Sequence, residues 1–451
     1  MLGSSSQTPL DGRAAQHRIS GHHQPSDPQA TLLPGEGARR HRRILIYSHD
    51  TFGLGNIRRM LAIAEHLAAS DAAAHVLVLS GSPMLHSFRI SSRIDFIKLP
   101  CLSRDTEGRY RPRSLPMSRD AVLAMRGRLI QSAAEHFQPD LILIDKKPLG
   151  VGGELDALFD NLRHLARRPA VALVLRDILD TPVVTQTIWR RHHYHDVIAR
   201  HYDLVLVAGQ PEIFDLAREY DFPEATRQKL RYCGYIYRHR LGYRPHRPAA
   251  GTARHLLVTV GGGGDGVRII ETLLLALAQR PSERAPLQTR IITGPEMSAS
   301  DREHLSQLAT GQPDITLDDF STDLEGEIAR ADLIISMGGY NTVCEVLGAG
   351  KRAIVVPRIR PVAEQFMRAQ RLADRGLLRW IHPDALTPRA LARAIDDALA
   401  TSPPSTGALD LFGLDRIGYW ANRLTTEQTP KPSVSSTNTT DITTRSHIAH
   451  A

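Results

Sequence analysis

Two glycines, a hydroxyl and a carboxylate follow one another at helical spacing in the second half of the chain. Gly338 and Gly339 come directly after the apolar run Leu333–Ser336, and Thr342 and Glu345 follow at intervals of three. Glycines let a backbone approach a ligand closely, and the N–H groups that open a helix attract a phosphate. Thr342 can donate its hydroxyl to that phosphate, and Glu345 can accept hydrogen bonds from a ribose diol. The pattern predicts a nucleoside-diphosphate site; the alternative is an ordinary strand–helix corner with Glu345 exposed to solvent.

A second loop with reactive side chains follows the first apolar strand, ILIYS. Two of its groups can accept a proton: Asp50, near the strand end, is the first candidate for a general base, and His49 is the second. Asn56 cannot accept a proton and can only orient a hydroxyl or a phosphate. Arg58 and Arg59 lie in the first turn of the following helix, where positive charge opposes the helix dipole. We therefore expect an anionic partner for at least one of them, or exposure to solvent.

Glycines also follow two strand ends elsewhere. Gly53 and Gly55 belong to the loop that carries Asp50, and four consecutive glycines, 261–264, follow the apolar strand that opens the second half. Such a run is favoured where the backbone adopts positive φ or lies against another group. Each run precedes a helix, which places it at the carboxyl end of a strand, where open α/β sheets bind ligands. A flexible loop at 261–264 is the alternative.

The ordered set at 338–370 resembles the carboxyl-terminal domain of GT-B glycosyltransferases. The closest type is the MurG-like enzymes of glycosyltransferase family 28, which transfer a sugar from a UDP-sugar. The resemblance spans roughly residues 43–424 and is strongest over 256–370. It implies that Thr342 and Glu345 hold the phosphate and the ribose, and that Glu364 and Gln365 reach the donor sugar. Glu364 departs from the double Gln of the best-known member, which leaves the sugar open. The implied donor-binding residues are Gly262, Gly263, Gly264, Arg238, Gly338, Gly339, Thr342, Glu345, Glu364 and Gln365.

The same resemblance implies that the amino-terminal glycine loop faces the acceptor and the donor diphosphate through Gly53, Gly55 and Arg59. Many relatives have a His directly after the Gly-x-Gly, where this chain has Asn56. The candidate catalytic residues are therefore Asp50, His49 and Asn56, the last only as an orienting group.

Strands that end in glycine turns alternate with amphipathic helices along the chain, which predicts parallel sheets. The expected fold is α/β of the GT-B type, with two Rossmann-like domains and a cleft between them. The first domain is the acceptor domain (41–238) and the second is the donor domain (255–408), joined by a linker at 239–254. A helix at 409–424 is predicted to return to the first domain. A disordered arm (1–40) and a disordered tail (425–451) are predicted at the two ends.

Two surface segments of the first domain have more than one interpretation. One helix is predicted over Thr181–Tyr202, and its three histidines, at 192, 193 and 195, could ligate zinc. Adjacent histidines point to different sides of a helix, so a solvated or phosphate-facing surface is favoured. The arginine-rich segment 101–117 is predicted as an irregular loop. Asp177 is a candidate acceptor-binding carboxylate or a structural partner of Arg176.

Composition narrows the classes of function. At 451 residues the chain exceeds one typical core, which favours two domains, and 42% hydrophobic with 23% charged residues is typical of globular proteins. The net charge is +8, and only six of the 56 basic residues are Lys. Anionic substrates, an anionic membrane surface and nucleic acid are the three interpretations of that charge. With no nucleic-acid module and only 5% aromatic residues, nucleic acid is the least favoured. Three scattered cysteines favour a reducing cytoplasm.

The resemblance implies an inverting hexosyltransferase that moves a sugar from a nucleotide-sugar, in the UDP form, to an acceptor hydroxyl in cell-envelope, polysaccharide or glycolipid biosynthesis. Hydrolysis or epimerisation of the nucleotide-sugar by the same fold, and a binding protein without turnover, are the alternatives. No cofactor and no metal are predicted. The expected partners are the nucleotide-sugar, an acceptor whose class stays open and includes lipid-linked sugars, and no nucleic acid. The expected location is the cytoplasm, with peripheral contact at the inner face of the plasma membrane.

Overall fold

The structure is a computed structural model that describes residues 41–49, 55–85, 88, 90–104, 109–162, 167–238, 253–280 and 286–427. The predictions for the arm at 1–40, for Asp50 and Gly53, for most of the linker at 239–254 and for the tail beyond 427 lie outside these residues.

Two parallel sheets form the frame of the described residues. The first sheet has seven strands in the order β3-β2-β1-β6-β7-β8-β9, and the second has six in the order β12-β11-β10-β13-β14-β15. We call each sheet with its helices the first and the second lobe. The strands are β1 (Arg42–Ser48), β2 (Ala74–Ser80), β3 (Ile94–Lys98), β4 (Leu102–Arg104), β5 (Tyr110–Pro112), β6 (Leu141–Asp145), β7 (Ala170–Arg176), β8 (Leu204–Ala208), β9 (Leu230–Tyr232), β10 (Arg254–Thr259), β11 (Leu287–Ile292), β12 (Ile315–Asp318), β13 (Leu333–Ser336), β14 (Arg352–Val355) and β15 (Arg379–Trp380).

The strand order reverses once in each sheet, between β1 and β6 and between β10 and β13. Both sheets are doubly wound, and the crevice beyond the carboxyl ends of the strands at such a reversal is where this architecture binds ligands. The inner strands are mostly apolar, and every residue of β6 and of β8 is buried. Continuous apolar strands are typical of sheets covered by helices on both faces. The predicted α/β class is confirmed.

Helices cover the sheets and also join the lobes. They are α1 (Gly55–Ser70), α2 (Arg119–Phe137), α3 (Asp156–Leu162), α4 (Pro182–Arg191), α5 (Tyr194–His201), α6 (Leu216–Glu219), α7 (Glu224–Arg227), α8 (Val267–Ala278), α9 (Ala299–Ala309), α10 (Leu324–Arg330), α11 (Tyr340–Gly348), α12 (Glu364–Ala373), α13 (Pro388–Ala400) and α14 (Gly413–Glu427). The helix α1 packs against both α11 of the second lobe and α14. Leu61, Val343 and Ile417, one from each of these helices, belong to one continuous buried apolar cluster. The two lobes therefore share a core at α1.

Two predicted elements are wrong. The single helix predicted over Thr181–Tyr202 is broken, because His193 adopts a left-handed backbone (φ 51°) between α4 and α5. The break lets Tyr194 and Phe222 pack against the ring of Trp189. The arginine-rich segment predicted as irregular contains an antiparallel hairpin formed by β4 and β5.

Candidate functional site

The starts of α1 and α11 meet between the lobes. Asn341, in the first turn of α11, donates its side-chain amide to the carbonyl of Gly55, with 2.8 Å between nitrogen and oxygen. These helices follow β1 and β13, which are the strands beside the two points where strand order reverses. The starts of the two helices that follow the predicted glycine loops therefore lie in contact between the lobes.

The backbone of the turn before α11 explains why glycine occupies positions 338 and 339. Gly338 has φ +75°, and a Cβ there would lie 2.6 Å from the side chain of Val355. Gly339 is the N-cap of α11 and supplies no side-chain cap, and the first helical turn holds no acidic residue. No side chain of the described residues therefore accepts from the N–H groups that open α11, as an anion site requires. Thr342 lies in this first turn and is half-buried.

Glu345, the residue predicted for the ribose, reaches across to the first lobe. Its Oε1 accepts a hydrogen bond from Nη2 of Arg58 at 2.8 Å. Its Oε2 is buried and has no hydrogen-bond partner among the described residues. Burial raises the pKa of Glu345, and the charge of Arg58 opposes that rise. Glu345 also lines a pocket with Tyr237 and Arg238.

Glu364 and Gln365, the residues predicted for the donor sugar, open α12 and are both buried. Glu364 forms an ion pair with Arg176 at the end of β7, where Nη1 donates to Oε1 at 2.8 Å. Burial works against ionisation of Glu364, but the positive charges of Arg176 and Arg368 outweigh it and lower its pKa. The Oε1 atom of Gln365 accepts from the backbone N–H of Arg358 at 3.0 Å. The carboxylate that replaces a Gln in this chain therefore has a matching cation from the other lobe.

A buried ion pair that sequence reasoning missed lies behind this site. Both oxygens of Asp177 accept hydrogen bonds from Arg368, each at 2.8 Å, and each side chain is only 1% exposed. Arg368 also donates to the carbonyl of Gly338 at 3.1 Å. Asp177 is thus a structural residue whose partner is Arg368 and not Arg176. The signal that could have found Arg368 is its spacing of four from Glu364, which places both on one face of α12.

Side chains of the first lobe join the end of β1 to the start of α1. The backbone N–H of His49 donates to Asp145 at the end of β6 (3.2 Å), and the amide of Asn56 donates to the carbonyl of His49 (2.6 Å). Arg59 forms an ion pair with Asp145, and both side chains are almost fully buried. His49 is itself buried, with its Nε2 3.5 Å from the hydroxyl of Tyr110. Asn56 and Arg59, predicted to face the ligands, thus bond to His49 and Asp145 of their own lobe.

The glycine run after β10 packs against a neighbouring turn. Gly263 has φ +96°, and a Cβ there would lie 2.2 Å from the carbonyl oxygen of Thr293. A Cβ on Gly262 would meet the carboxylate of Glu296, whereas one on Gly264 would meet nothing within 4 Å. The helix α8 that follows has no side-chain cap at its N-cap, Gly266. Close packing thus explains Gly263, and Gly264 leaves open space beside an uncapped helix start.

Arg238, predicted near the diphosphate, joins the lobes through carboxylates. It pairs with Glu65 of α1 at 3.2 Å and with Glu325 of α10 at 3.7 Å, and its side chain is 43% exposed. Among the described residues, no group of three or more His, Cys, Asp or Glu side chains is placed to hold a metal ion. His195, one of the three histidines considered for zinc, bonds instead to the hydroxyl of Thr226. No helix in the described part of the chain is long and apolar enough to cross a membrane.

Comparison with known proteins identifies the second lobe. The family model for the glycosyltransferase family 28 C-terminal domain matches residues 256–406. The second lobe is thus similar to the glycosyltransferase family 28 C-terminal domain. The match extends from β10 to beyond α13 and so includes the glycine run after β10, the turn before α11 and the start of α12.

Curated relatives match the same part of the chain. Two of them are UDP-N-acetylglucosamine–N-acetylmuramyl-(pentapeptide) pyrophosphoryl-undecaprenol N-acetylglucosamine transferases. The one from Paramagnetospirillum magneticum is 34% identical over 145 residues, which is 32% of this chain and 38% of the relative. The one from Methylorubrum populi is 31% identical over 183 residues, which is 40% of this chain and 49% of the relative. The matches thus span less than half the length of these relatives.

Solved structures extend the likeness to both lobes. MurG from Acinetobacter baumannii covers 85% of this chain and 95% of its own, with a TM-score of 0.50 at 18% identity. The UGT71G1 enzyme of Medicago truncatula, solved with UDP-glucose, covers 85% of this chain and 98% of its own, with a TM-score of 0.56 at 10% identity. At these identities the likeness concerns the fold. The fold is GT-B, with two Rossmann-like domains, and the predicted resemblance is confirmed.

Proposed function

We propose that this protein is an inverting glycosyltransferase that transfers a sugar from a UDP-sugar to an acceptor hydroxyl in cell-envelope, polysaccharide or glycolipid biosynthesis. The observation that carries the proposal is the meeting of the starts of α1 and α11 between the lobes, where α11 begins at a glycine without a side-chain cap and Glu345 lies one turn further in. The named activity of the curated relatives supports it, because those relatives use a UDP-sugar and a pyrophosphoryl-undecaprenol acceptor. The second lobe, 255–408, is then the donor domain and the first lobe the acceptor domain.

In this proposal the second lobe holds the nucleotide. The start of α11 and Thr342 bind the diphosphate, Glu345 accepts hydrogen bonds from the ribose, and Glu364 with Gln365 contacts the sugar. The diphosphate leaves as an anion that helix N-termini and arginine stabilise, and no metal takes part. The lobes shield the sugar from water, since water would otherwise hydrolyse the donor.

The base is supplied by the loop after β1. As the acceptor oxygen attacks the anomeric carbon and the bond to the diphosphate breaks, Asp50 or His49 takes the hydroxyl proton. The bonds from Asp145 and Asn56 to the backbone of His49 support a fixed position for His49. Asn56 takes no proton and acts by orienting a hydroxyl or a phosphate.

A lipid-linked acceptor and peripheral contact with the inner face of the plasma membrane complete the proposal. The helix α4 of the first lobe exposes three apolar side chains, and Arg190 and Arg191 lie in its last turn. The apolar residues are Val183 (75% exposed), Val184 (41%) and Ile188 (38%). Apolar and basic groups on one helix fit an anionic lipid surface.

A thermal-shift screen tests the proposal. UDP, GDP, dTDP and their sugars are added to the wild type, to Glu345→Ala and to the control Glu303→Ala, which removes an exposed carboxylate from α9. We expect UDP and UDP-sugars to raise the Tm of the wild type and of the control by several degrees and to have little effect on Glu345→Ala. If no nucleotide raises the Tm of the wild type, or if Glu345→Ala responds equally, the proposal is wrong.

An assay of UDP release distinguishes a transferase from the two alternatives, a hydrolase and a binding protein without turnover. A transferase releases UDP only when an acceptor is present, whereas a hydrolase releases UDP from the donor alone. A protein that binds the donor without turnover releases no UDP with any acceptor.

A further inference from the structure

Two neighbouring arginines of α1 have opposite surroundings. The side chain of Arg59 is 1% exposed, and its partner Asp145 is fully buried. Arg59 also donates to Asn56 at 3.3 Å. The side chain of Arg58 is 27% exposed and reaches Glu345 on the other lobe. Because moving Arg59 would leave two buried charges without partners, the side chain of Arg59 is fixed, whereas Arg58 can exchange partners.

Arg58 lies where positive potential is concentrated. It belongs to the first turn of α1, and the contact between Asn341 and Gly55 brings the start of α11 to the same place. Neither helix has an acidic residue in its first turn. Two helix N-termini and a guanidinium thus converge, and a ligand with two negative charges would balance them.

The contact with Arg58 supplies a hydrogen bond to only one of the two carboxylate oxygens of Glu345. Arg58 holds Oε1, while Oε2 is buried without a hydrogen-bond partner among the described residues. The two hydroxyls of a ribose can donate to both oxygens at once, which the single bond from Arg58 does not do. A ribose at Glu345 would therefore compete with Arg58 for the same carboxylate.

We propose that Arg58, and not Arg59, is the arginine of the first lobe that binds the donor diphosphate, and that it leaves Glu345 to do so. This inference rests on the proposed function, because it takes Glu345 as the ribose-binding residue. In the exchange, Glu345 gains the two ribose hydroxyls and Arg58 gains the diphosphate oxygens. Neither charge is left between the lobes without a partner.

The exchange predicts a difference between a nucleoside and its diphosphate. A nucleoside must displace Arg58 from Glu345 and offers it no anion, whereas a nucleoside diphosphate does both. Calorimetric Kd values for uridine and UDP are compared in the wild type, Arg58→Gln, Arg58→Lys and Arg371→Gln. The last variant is the control, because Arg371 also forms an ion pair between the lobes, with Glu219 at 3.2 Å.

We expect Arg58→Gln to bind uridine as tightly as the wild type or more tightly, and UDP more weakly. The preference for UDP over uridine should fall by about 10- to 100-fold, as for the loss of a charged hydrogen bond. Arg58→Lys should recover part of the preference, and Arg371→Gln should keep all of it.

Two results would overturn this inference while leaving the proposed function standing. Either Arg58→Gln keeps the wild-type preference for UDP, or it loses uridine and UDP affinity in parallel, as expected if Arg58 only orients Glu345. A wild type that binds UDP no better than uridine, or binds neither, would overturn both proposals.

Discussion

The starts of the two helices that meet between the lobes, α1 and α11, have opposite surroundings. At α1 the side chains bond within the first lobe: Asp145 accepts from the N–H of His49, Asn56 donates to the carbonyl of His49, and the charge of Arg59 is neutralised in the interior. At α11 glycine occupies the N-cap, and no side chain of the described residues caps the helix. The start of α1 is therefore suited to keep side chains in place, and the start of α11 is suited to receive a ligand with its backbone.

Three other helices of the second lobe begin with a side-chain cap, whereas α12, which begins after Ala363, has none. Ser298 caps α9, Asp323 caps α10 and Thr387 caps α13, each with a side-chain oxygen that accepts a backbone N–H. Only α8 and α11, the helices that follow the neighbouring strands β10 and β13, begin at a glycine N-cap among the helices described in this lobe. A side-chain cap typically stabilises a helix by about 1 kcal/mol. Its absence at these two helices leaves their N–H groups to a ligand.

The largest expected effect on stability comes from removing the buried ion pair between Asp145 and Arg59. Asp145→Asn removes the negative charge that balances Arg59 in the interior, so the free energy of unfolding should fall by about 3–5 kcal/mol. Urea denaturation measures the loss, and Glu303→Gln, on the exposed face of α9, is the matched control. If Asp145→Asn lowers the free energy of unfolding by less than about 1 kcal/mol, the start of α1 is held by something other than this ion pair.

A smaller effect is expected from the open turn, where two adjacent glycines can be compared. Gly338→Ala forces an alanine into a left-handed backbone and against Val355, so it should destabilise the protein by at least about 1–2 kcal/mol. Gly339→Ala meets no atom within 4 Å at a φ of −58°, so its effect should stay below about 1 kcal/mol. Thermal and urea unfolding measure both. Equal losses would mean that the φ of Gly338 does not explain the turn.

The smallest effects are expected for Glu364 and Glu345, whose contributions to stability should depend on pH with opposite signs. The pKa of Glu364 is lowered in the folded protein. Its contribution to the free energy of unfolding is therefore complete above the unfolded pKa of about 4.3 and is lost as the pH falls through the lowered folded pKa. The pKa of Glu345 is raised, so its contribution is present below about 4.3 and is lost as the pH rises through the raised folded pKa.

These signs predict the behaviour of two glutamine variants. Glu364→Gln should be less stable than the wild type at pH 7, and Glu345→Gln more stable, each by on the order of 1 kcal/mol. Both differences should shrink as the pH falls below about 4. Urea titrations at several pH values measure them, and changes of the same sign in both variants would contradict the assignment.

Sequence predicted well those elements whose signals are local. The apolar run Leu333–Ser336 forms β13 with the same bounds, and the helix α11 follows the glycine turn after it. The break after α4 was missed because the apolar pattern runs on, and packing around Trp189 decides the backbone at His193.

In the candidate site, too, the residues with a local signal could be predicted from the sequence, and their distant partners could not. The glycine turn, Thr342 and Glu345 could be found because strand, turn and helix are contiguous. The partners of Glu345, Glu364 and Arg368 could not, because each lies on the other lobe. Arg58 is 287 residues from Glu345, Arg176 is 188 from Glu364, and Asp177 is 191 from Arg368. No local pattern encodes a pairing over such distances along the chain.

The contact of α14 with α1 also bears on the order in which the protein is made. Ile417 and Ala421 are fully buried in the apolar cluster that contains α1, so the first lobe is assembled from two segments separated by the whole second lobe. A ribosome that has finished every strand of both sheets has not yet supplied the helix that closes the first one. We expect the second lobe to be able to complete its folding during translation, while the first keeps an apolar face open until synthesis passes residue 427.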